Sequence, residues 1–173
     1  MDTRRFAMNY GAILGLCLVT LAIVFLAVGI DDRQSIIPAL LKSVLTIAFI
    51  TYAIMQYRDI NNNGFISYGA SLKLGTTVAF FASVIFAFYF IIYISYIDTN
   101  WISDTLNELK DDILNNDNEI SEELLDEQLE DATNYLKPHW LMMSYTLMGT
   151  FAGFLYSLII SIFVKKEDPN LIA

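Results

Sequence analysis

The residues whose types and spacing could do chemistry are few. Asp59-Ile60-Asn61-Asn62-Asn63-Gly64 has the D-x-N-x-N-G order that opens a calcium loop. Such a loop draws oxygen ligands from its first, third and fifth positions and closes with a bidentate glutamate at the twelfth. Here the twelfth position is Ala70, so the main charge and two ligand oxygens are missing. An Asn63-Gly64 turn between two helices, with the second helix capped by Ser67, is the better reading. His139 stands beside Pro138 and Trp140 with no cysteine or second histidine near it, too few ligands for a metal. Cys17 is the only cysteine, so no intrachain disulfide forms; within an apolar run it reads as a small hydrophobe. No nucleophile–base pair, glycine-rich phosphate loop or pair of carboxylates facing a buried site is legible. We expect no catalytic residue, no metal ligand and no cofactor, and hence no enzyme.

Carboxylates are abundant in one place only. Segment 98–138 holds 13 of the 19 acidic residues, against Lys110 and Lys137. The remainder of the chain carries a small basic excess, so the net charge of −9 describes a single segment. It argues against nucleic acid as a partner, because phosphate binding needs a basic face. The segment has helical period. Ile102, Leu106, Leu109 and Ile113 recur at helical spacing, as do Leu125, Leu129, Ala132 and Leu136, with Ile120 and Leu124 widening the second stripe. Thr105 with Glu108 suggests a capping box, Ser121 a second helix start, and Asn115-Asn116-Asp117-Asn118 a turn between them. Two amphipathic helices over about 102–115 and 120–136 follow. Their carboxylate faces would be repelled by an anionic lipid surface, so a hairpin standing clear of the membrane is preferred.

What must position these residues is a set of long apolar helices. Of the 173 residues 55% are hydrophobic, above the usual level for a soluble domain. Runs free of Asp, Glu, Lys and Arg cover 6–30, 43–57, 74–97 and 138–164. A bilayer-spanning helix needs about 20 apolar residues. We therefore expect an all-α integral membrane four-helix bundle with spans near 8–30, 38–57, 74–97 and 139–164. The acidic helical hairpin is inserted between the third and fourth. The start Met1-Asp2-Thr3-Arg4-Arg5 with a long apolar run reads as an uncleaved first span rather than a short secretory signal. Asp31-Asp32-Arg33-Gln34-Ser35 forms a polar turn, Pro38 sits in a first helical turn, and Lys42 snorkels toward the headgroups. The tail Glu167–Ala173 is expected to be frayed.

Lysine and arginine near the span ends set orientation. Arg4, Arg5, Arg58, Lys73, Lys165 and Lys166 fall on one side; Arg33, Lys42, Lys110 and Lys137 fall on the other. The bias places both termini in the cytoplasm and the acidic hairpin outside. Tyr89, Tyr93, Tyr96, Trp101, Trp140 and Tyr145 would belt the outer interface; Tyr10, Tyr52, Tyr57 and Tyr68 would belt the inner one. Small residues recur every four positions: Ala7, Gly11 and Gly15; Ser71, Gly75, Ala79, Ser83 and Ala87; Gly149, Gly153, Ser157 and Ser161. Close backbone approach is what holds helices together in lipid. Packing within one chain is the default, and a homo-oligomer stays open.

Two stretches carry a resemblance. One runs from Tyr57-Arg58-Asp59 through Asn63-Gly64-Phe65-Ile66-Ser67-Tyr68-Gly69 to Leu72-Lys73-Leu74-Gly75. The other is Pro138 with the glycine-containing span ending Ser157-Leu158-Ile159-Ile160-Ser161-Ile162-Phe163-Val164-Lys165-Lys166. Tyr96-Ile97-Asp98 and the acidic segment lie between them. This order resembles a family of small bacterial inner-membrane proteins known only as a domain of unknown function. The resemblance implies four spans and a bacterial inner membrane, and makes Arg58, Asp59, Gly64, Phe65, Ser67 and Gly69 a structured turn. It transfers no catalytic residue. Two functions remain in view. One is a structural or accessory protein, solvated by the lipid bilayer, whose acidic hairpin binds a membrane or periplasmic protein or cations. The other is a small transporter or channel subunit acting as an oligomer and lined by Thr46, Thr51, Thr76, Thr77 and Ser83.

Overall fold

The structure, a computed structural model, describes residues 3–30, 35–116 and 120–166. Residues 31–34 of the turn at 31–35, residues 117–119 at the end of the 115–118 turn, and the tail 167–173 lie outside the described residues. The described part is helical: α1 (Thr3–Val28), α2 (Ile37–Gln56), α3 (Tyr68–Ile92), α4 (Trp101–Asn116), α5 (Glu122–Tyr135) and α6 (Pro138–Val164). A π-helical turn prolongs α2 over Tyr57–Asn61, and another prolongs α3 over Tyr93–Ile97. Four of these rods, Thr3–Val28, Ile37–Asn61, Tyr68–Ile97 and Pro138–Val164, are long and apolar enough to cross a membrane.

The rods overrun the expected spans. α1 begins at Thr3 rather than Met8, and α3 at Tyr68 rather than Leu74. Hydropathy marks the greasy stretch, whereas the backbone keeps its own hydrogen bonds out into the interface. Local bonds set the starts. At α3 Ser67 Oγ accepts the Ala70 N–H at 3.3 Å, whereas α2 has Ile36 at its N-cap and no side-chain cap, Ser35 Oγ accepting the Ile37 N–H from just outside the helix. Pro38 lies in the first turn of α2, where its missing N–H leaves no bond unmade.

The chain divides into two compact units, residues 1–86 with 145–173, and residues 87–144. In the first, α3 is the central rod. Gly11 and Gly15 of α1 bring that helix onto it: a Cβ on Gly11 would lie 2.6 Å from Phe81 Cβ and 2.7 Å from the Val78 carbonyl oxygen. One on Gly15 would lie 2.8 Å from Ile85 Cβ. On its other side α3 meets α6, and Ile50 of α2, fully buried, reaches toward Gly75 and Gly153 where the two cross. Leu14, Ile50, Ile54, Leu74 and Val78 fill the centre. Between α1 and α2, Phe6 stacks on Tyr10 at 4.3 Å and meets Tyr57 edge-on at 5.2 Å. Phe49 and Tyr52 extend the cluster, and the Thr3 and Tyr57 hydroxyls share a 2.6 Å hydrogen bond. Lys42, the charged residue inside α2, holds its Nζ 5.3 Å from the centre of the Phe86 ring.

In the second unit α4 and α5 pack on each other as the stripes predict. Ile102, Leu106, Ile113, Leu125, Leu129, Ala132 and Leu136 are half-buried, while Leu109, Leu114 and Leu124 are exposed. Ser121 caps α5 by accepting the Leu124 N–H, with Glu122 and Glu123 in the first turn where the helix dipole favours them. The Thr105–Glu108 capping box does not exist. α4 starts at Trp101, one residue before the expected start, so Thr105 lies inside the helix, where its Oγ1 donates to the Trp101 carbonyl at 2.7 Å. The physical reason lies at the end of α3. The Asp98 N–H returns to the Tyr93 carbonyl at 2.9 Å, and the Tyr93 hydroxyl donates to Asp98 Oδ2 at 3.2 Å. Trp101, the first residue of α4, then lies edge-on to Phe90 at 5.2 Å. Asn115 and Asn116, read as a turn, still belong to α4.

Two glycines give a paired test. Gly11→Ala places a methyl against backbone and is expected to cost about 1–3 kcal/mol, as overpacking does. Gly69, in the first turn of α3, has open space around its Cβ direction. Gly69→Ala is expected to be neutral or up to about 1 kcal/mol stabilising, from helix propensity alone. Thermal unfolding in detergent reads both, and equal effects at the two sites would refute the central placement of α3.

Candidate functional site

The polar residues singled out in the sequence converge on one end of the first unit, where the α2–α3 connection meets the end of α6. At that end α2 loosens into the π turn, and the chain must reverse to start α3. It does so over Asn62–Phe65. Asn63 has φ 52° and Gly64 φ 83°, the left-handed pair a type I′ turn requires, and the Phe65 N–H closes it on the Asn62 carbonyl at 3.0 Å. Asn62 Nδ2 donates to the Phe65 carbonyl at 2.6 Å, and the Gly64 N–H to the Arg58 carbonyl at 2.8 Å. Of the side-chain oxygens a calcium ion would need, both of Asp59 are committed elsewhere. Asp59 pairs with Arg58, its Oδ1 2.7 Å from Nε and its Oδ2 3.2 Å from Nη2. Ala70, at the closing position, is helical. Among the described residues no group of three or more His, Cys, Asp or Glu could hold a metal ion.

This turn is fastened to α6. Ile66 and Lys166 exchange both backbone hydrogen bonds, at 2.8 and 2.9 Å, as an isolated antiparallel pair. Arg58 Nη1 donates to the Val164 carbonyl at 3.1 Å. The last carbonyls of a helix have no partner of their own, and here the Arg58 side chain supplies a donor to one of them, while the loop pairs with the chain just past the helix. Lys166 Nζ also lies 5.6 Å from the centre of the Phe65 ring. Arg58, Asp59, Asn63, Gly64 and Ser67 therefore act together, as a latch that ends α2, starts α3 and closes α6. Val164, Ile66 and Lys166 belong to it as well, and the sequence reading missed that role. They sit in apolar or tail context, and no local signal marks them.

The small-residue stripes of α3 and α6 face each other. A Cβ on Gly149 would strike Ser83, one on Gly153 would strike Ala79, and one on Gly75 would strike Ser157. Each four-residue step along α6 is matched by a four-residue step back along α3. The same register brings Ser161 level with Ser71, both fully buried, and runs on to the Ile66–Lys166 pair. Gly75, Ala79, Ser83, Gly149, Gly153 and Ser157 are therefore one interface inside a single chain. The hydroxyls along it serve their own helices: Ser83 Oγ donates to the Ala79 carbonyl and Ser157 Oγ to that of Gly153. Thr46, Thr51, Thr76 and Thr77 do the same four residues back. Ser161 Oγ, also buried, has no hydrogen-bond partner among the described residues.

Loss of the latch can be read directly. Arg58→Ala should weaken the α6 terminus by about 1.5–3 kcal/mol, the worth of a hydrogen bond to a charged group, with faster amide exchange at Ile66 and Lys166. Unchanged protection at both amides would show that Arg58 does not fasten the loop. At the α3–α6 interface Ser161→Ala should be neutral or stabilising by about 1 kcal/mol, since it removes an unpaired buried hydroxyl.

No curated protein matches the chain, and no solved structure does. A family model does. It spans residues 9–166, from the first turns of α1 to the Ile66–Lys166 pair, and so takes in all four long helices, the latch and the hairpin. By that match the chain belongs to the family described as "Protein of unknown function (DUF4199)".

Proposed function

We propose that this chain is a structural or accessory membrane protein whose acidic hairpin recruits a protein with a basic surface. The observation that carries the reading is the character of α4 and α5. Asp104, Glu108, Asp111 and Asp112 on the first helix are exposed, as are Glu122, Glu123, Asp126, Glu127, Glu130 and Asp131 on the second. Leu109, Leu114 and Leu124 are exposed among them. Carboxylates steer and select a basic partner, and apolar side chains within the same surface add contact area. A protein suits this surface better than a chelated cation, because the carboxylates do not gather into a metal-sized group. The orientation proposed with this function has both termini in the cytoplasm of a bacterium and the hairpin beyond its inner membrane. The orientation is supported by the lysine and arginine bias, and the bacterial inner membrane by the sequence resemblance.

The competing reading is an oligomeric transporter or channel. It rests on the polytopic architecture and on a set of hydroxyls, and those hydroxyls donate to carbonyls of their own helices. With no Asp, Glu or Arg within the central part of any span, the ion and proton relays typical of transporters lack their usual carriers. These observations favour the accessory role. We also propose that the chain is no enzyme, because no converging nucleophile, base and oxyanion donor is legible.

In vivo crosslinking of the full-length protein tests the partner. The wild-type chain is expected to capture a basic protein, with capture declining above about 0.5 M salt as charge pairs are screened. A variant with Glu122, Glu123, Glu127 and Glu130 changed to Gln and Asp126 and Asp131 to Asn should lose it. An identical, salt-insensitive crosslink pattern in both would reject the proposal.

A further inference from the structure

Asn63 stands where an asparagine is chemically vulnerable. It is exposed, and alone among the chain's asparagines it precedes a glycine. The main-chain nitrogen of the next residue can attack an asparagine side chain at Cγ, and glycine has no side chain to obstruct that approach. Asn62, beside it, is followed by a side chain, and its own Nδ2 is bound to the Phe65 carbonyl. In this fold the nitrogen that would attack Asn63 is engaged, because the Gly64 N–H donates to the Arg58 carbonyl at 2.8 Å. Arg58 is held at its other end too, where Nη1 donates to the Val164 carbonyl at 3.1 Å. Two residues beyond Gly64, the Ile66–Lys166 pair fastens the chain again. The nucleophile of the reaction is thus the same N–H that closes the loop.

We propose that Asn63 is a deamidation site guarded by the latch, and that its conversion opens the latch irreversibly. When the loop lifts, the Gly64 nitrogen gives its proton to water and bonds to Asn63 Cγ. The Cγ–Nδ2 bond breaks, ammonia leaves, and a five-membered imide closes. Water then opens the ring at one of its two carbonyls. Opening at Cγ gives aspartate. Opening at the main-chain carbonyl gives isoaspartate, whose main chain runs through Cβ and Cγ. The imide has no Gly64 N–H to offer Arg58, and isoaspartate lengthens the main chain inside a two-residue turn that tolerates no insertion. Either way the donors that the loop brings to the end of α6 are lost. The rate follows the fraction of time the latch spends open, as local opening governs any reaction of a protected amide. The hairpin takes no part in this chemistry.

Peptide mapping by mass spectrometry tests it, on full-length protein incubated in detergent at mildly alkaline pH. A synthetic peptide of residues 58–69 supplies the unguarded rate. The folded chain should convert at least roughly ten-fold more slowly than the peptide. Arg58→Ala should convert roughly ten-fold faster than wild type, the factor carried by a lost hydrogen bond to a charged group. Chains converted to isoaspartate should lose amide protection at Ile66 and Lys166. Asn63→Gly keeps the left-handed turn without a side-chain amide; it should show no conversion at this position and keep both amides protected. Equal rates in folded chain and peptide overturn the proposal. So does an Arg58→Ala rate no faster than wild type, or full protection in converted chains. If Arg58→Ala does not fold, the folded and peptide rates, with amide exchange on the converted wild-type chain, decide alone.

Discussion

Hydrocarbon offers a polypeptide no hydrogen-bond partners, so every backbone N–H and C=O at membrane depth has to be satisfied from within the chain. A helix meets this demand along its length and fails at its ends, where the last carbonyls stay open. The end of α6 shows how the demand shapes the rest. Arg58 donates to Val164, and Ile66 and Lys166 exchange backbone bonds. To deliver those donors the α2–α3 connection must turn tightly, which is the task of Asn63 and Gly64 in left-handed conformation. Asp59 keeps the Arg58 guanidinium in place. The residues that most resemble a binding motif are thereby drawn into closing a helix.

The same solvent explains the interior. Lipid tails are as apolar as leucine, so helices gain little by hiding leucine from them, and association depends on close approach. Gly11 and Gly15 let α1 lie against α3, while Gly149, Gly153 and Gly75 let α3 and α6 touch. Serine suits this surface because it is small and can return its proton to the preceding turn, as Ser83 and Ser157 do. The hairpin answers to a different solvent. Its helices carry exposed carboxylates on one side, and their apolar stripes pair with each other, the pattern the hydrophobic effect produces in amphipathic helices.

Much of this was legible beforehand because it is local. The apolar runs announced four rods, the 3.6-residue period announced α4 and α5, and Ser67 and Ser121 marked helix starts a few residues from where their effect is felt. Local reading failed where a nearby tertiary contact outweighed propensity. Thr105 had the right residue type for a cap, yet it lies inside α4, which starts at Trp101 beside the Tyr93–Asp98 closure and the Phe90–Trp101 contact.

The sequence by itself determined what kind of solvent each segment prefers and where the chain turns, since hydropathy, period and the φ tolerance of Asn-Gly are properties of neighbouring residues. Only the tertiary structure decided which stripe meets which. Three helices carry small residues at the same four-residue spacing, so composition cannot choose among their pairings. Arg58 and Val164 lie 106 residues apart, and nothing at either position names the other. The choice is made by shape across the α3–α6 interface, residue against residue, and by the donors that the α2–α3 connection brings to the end of α6.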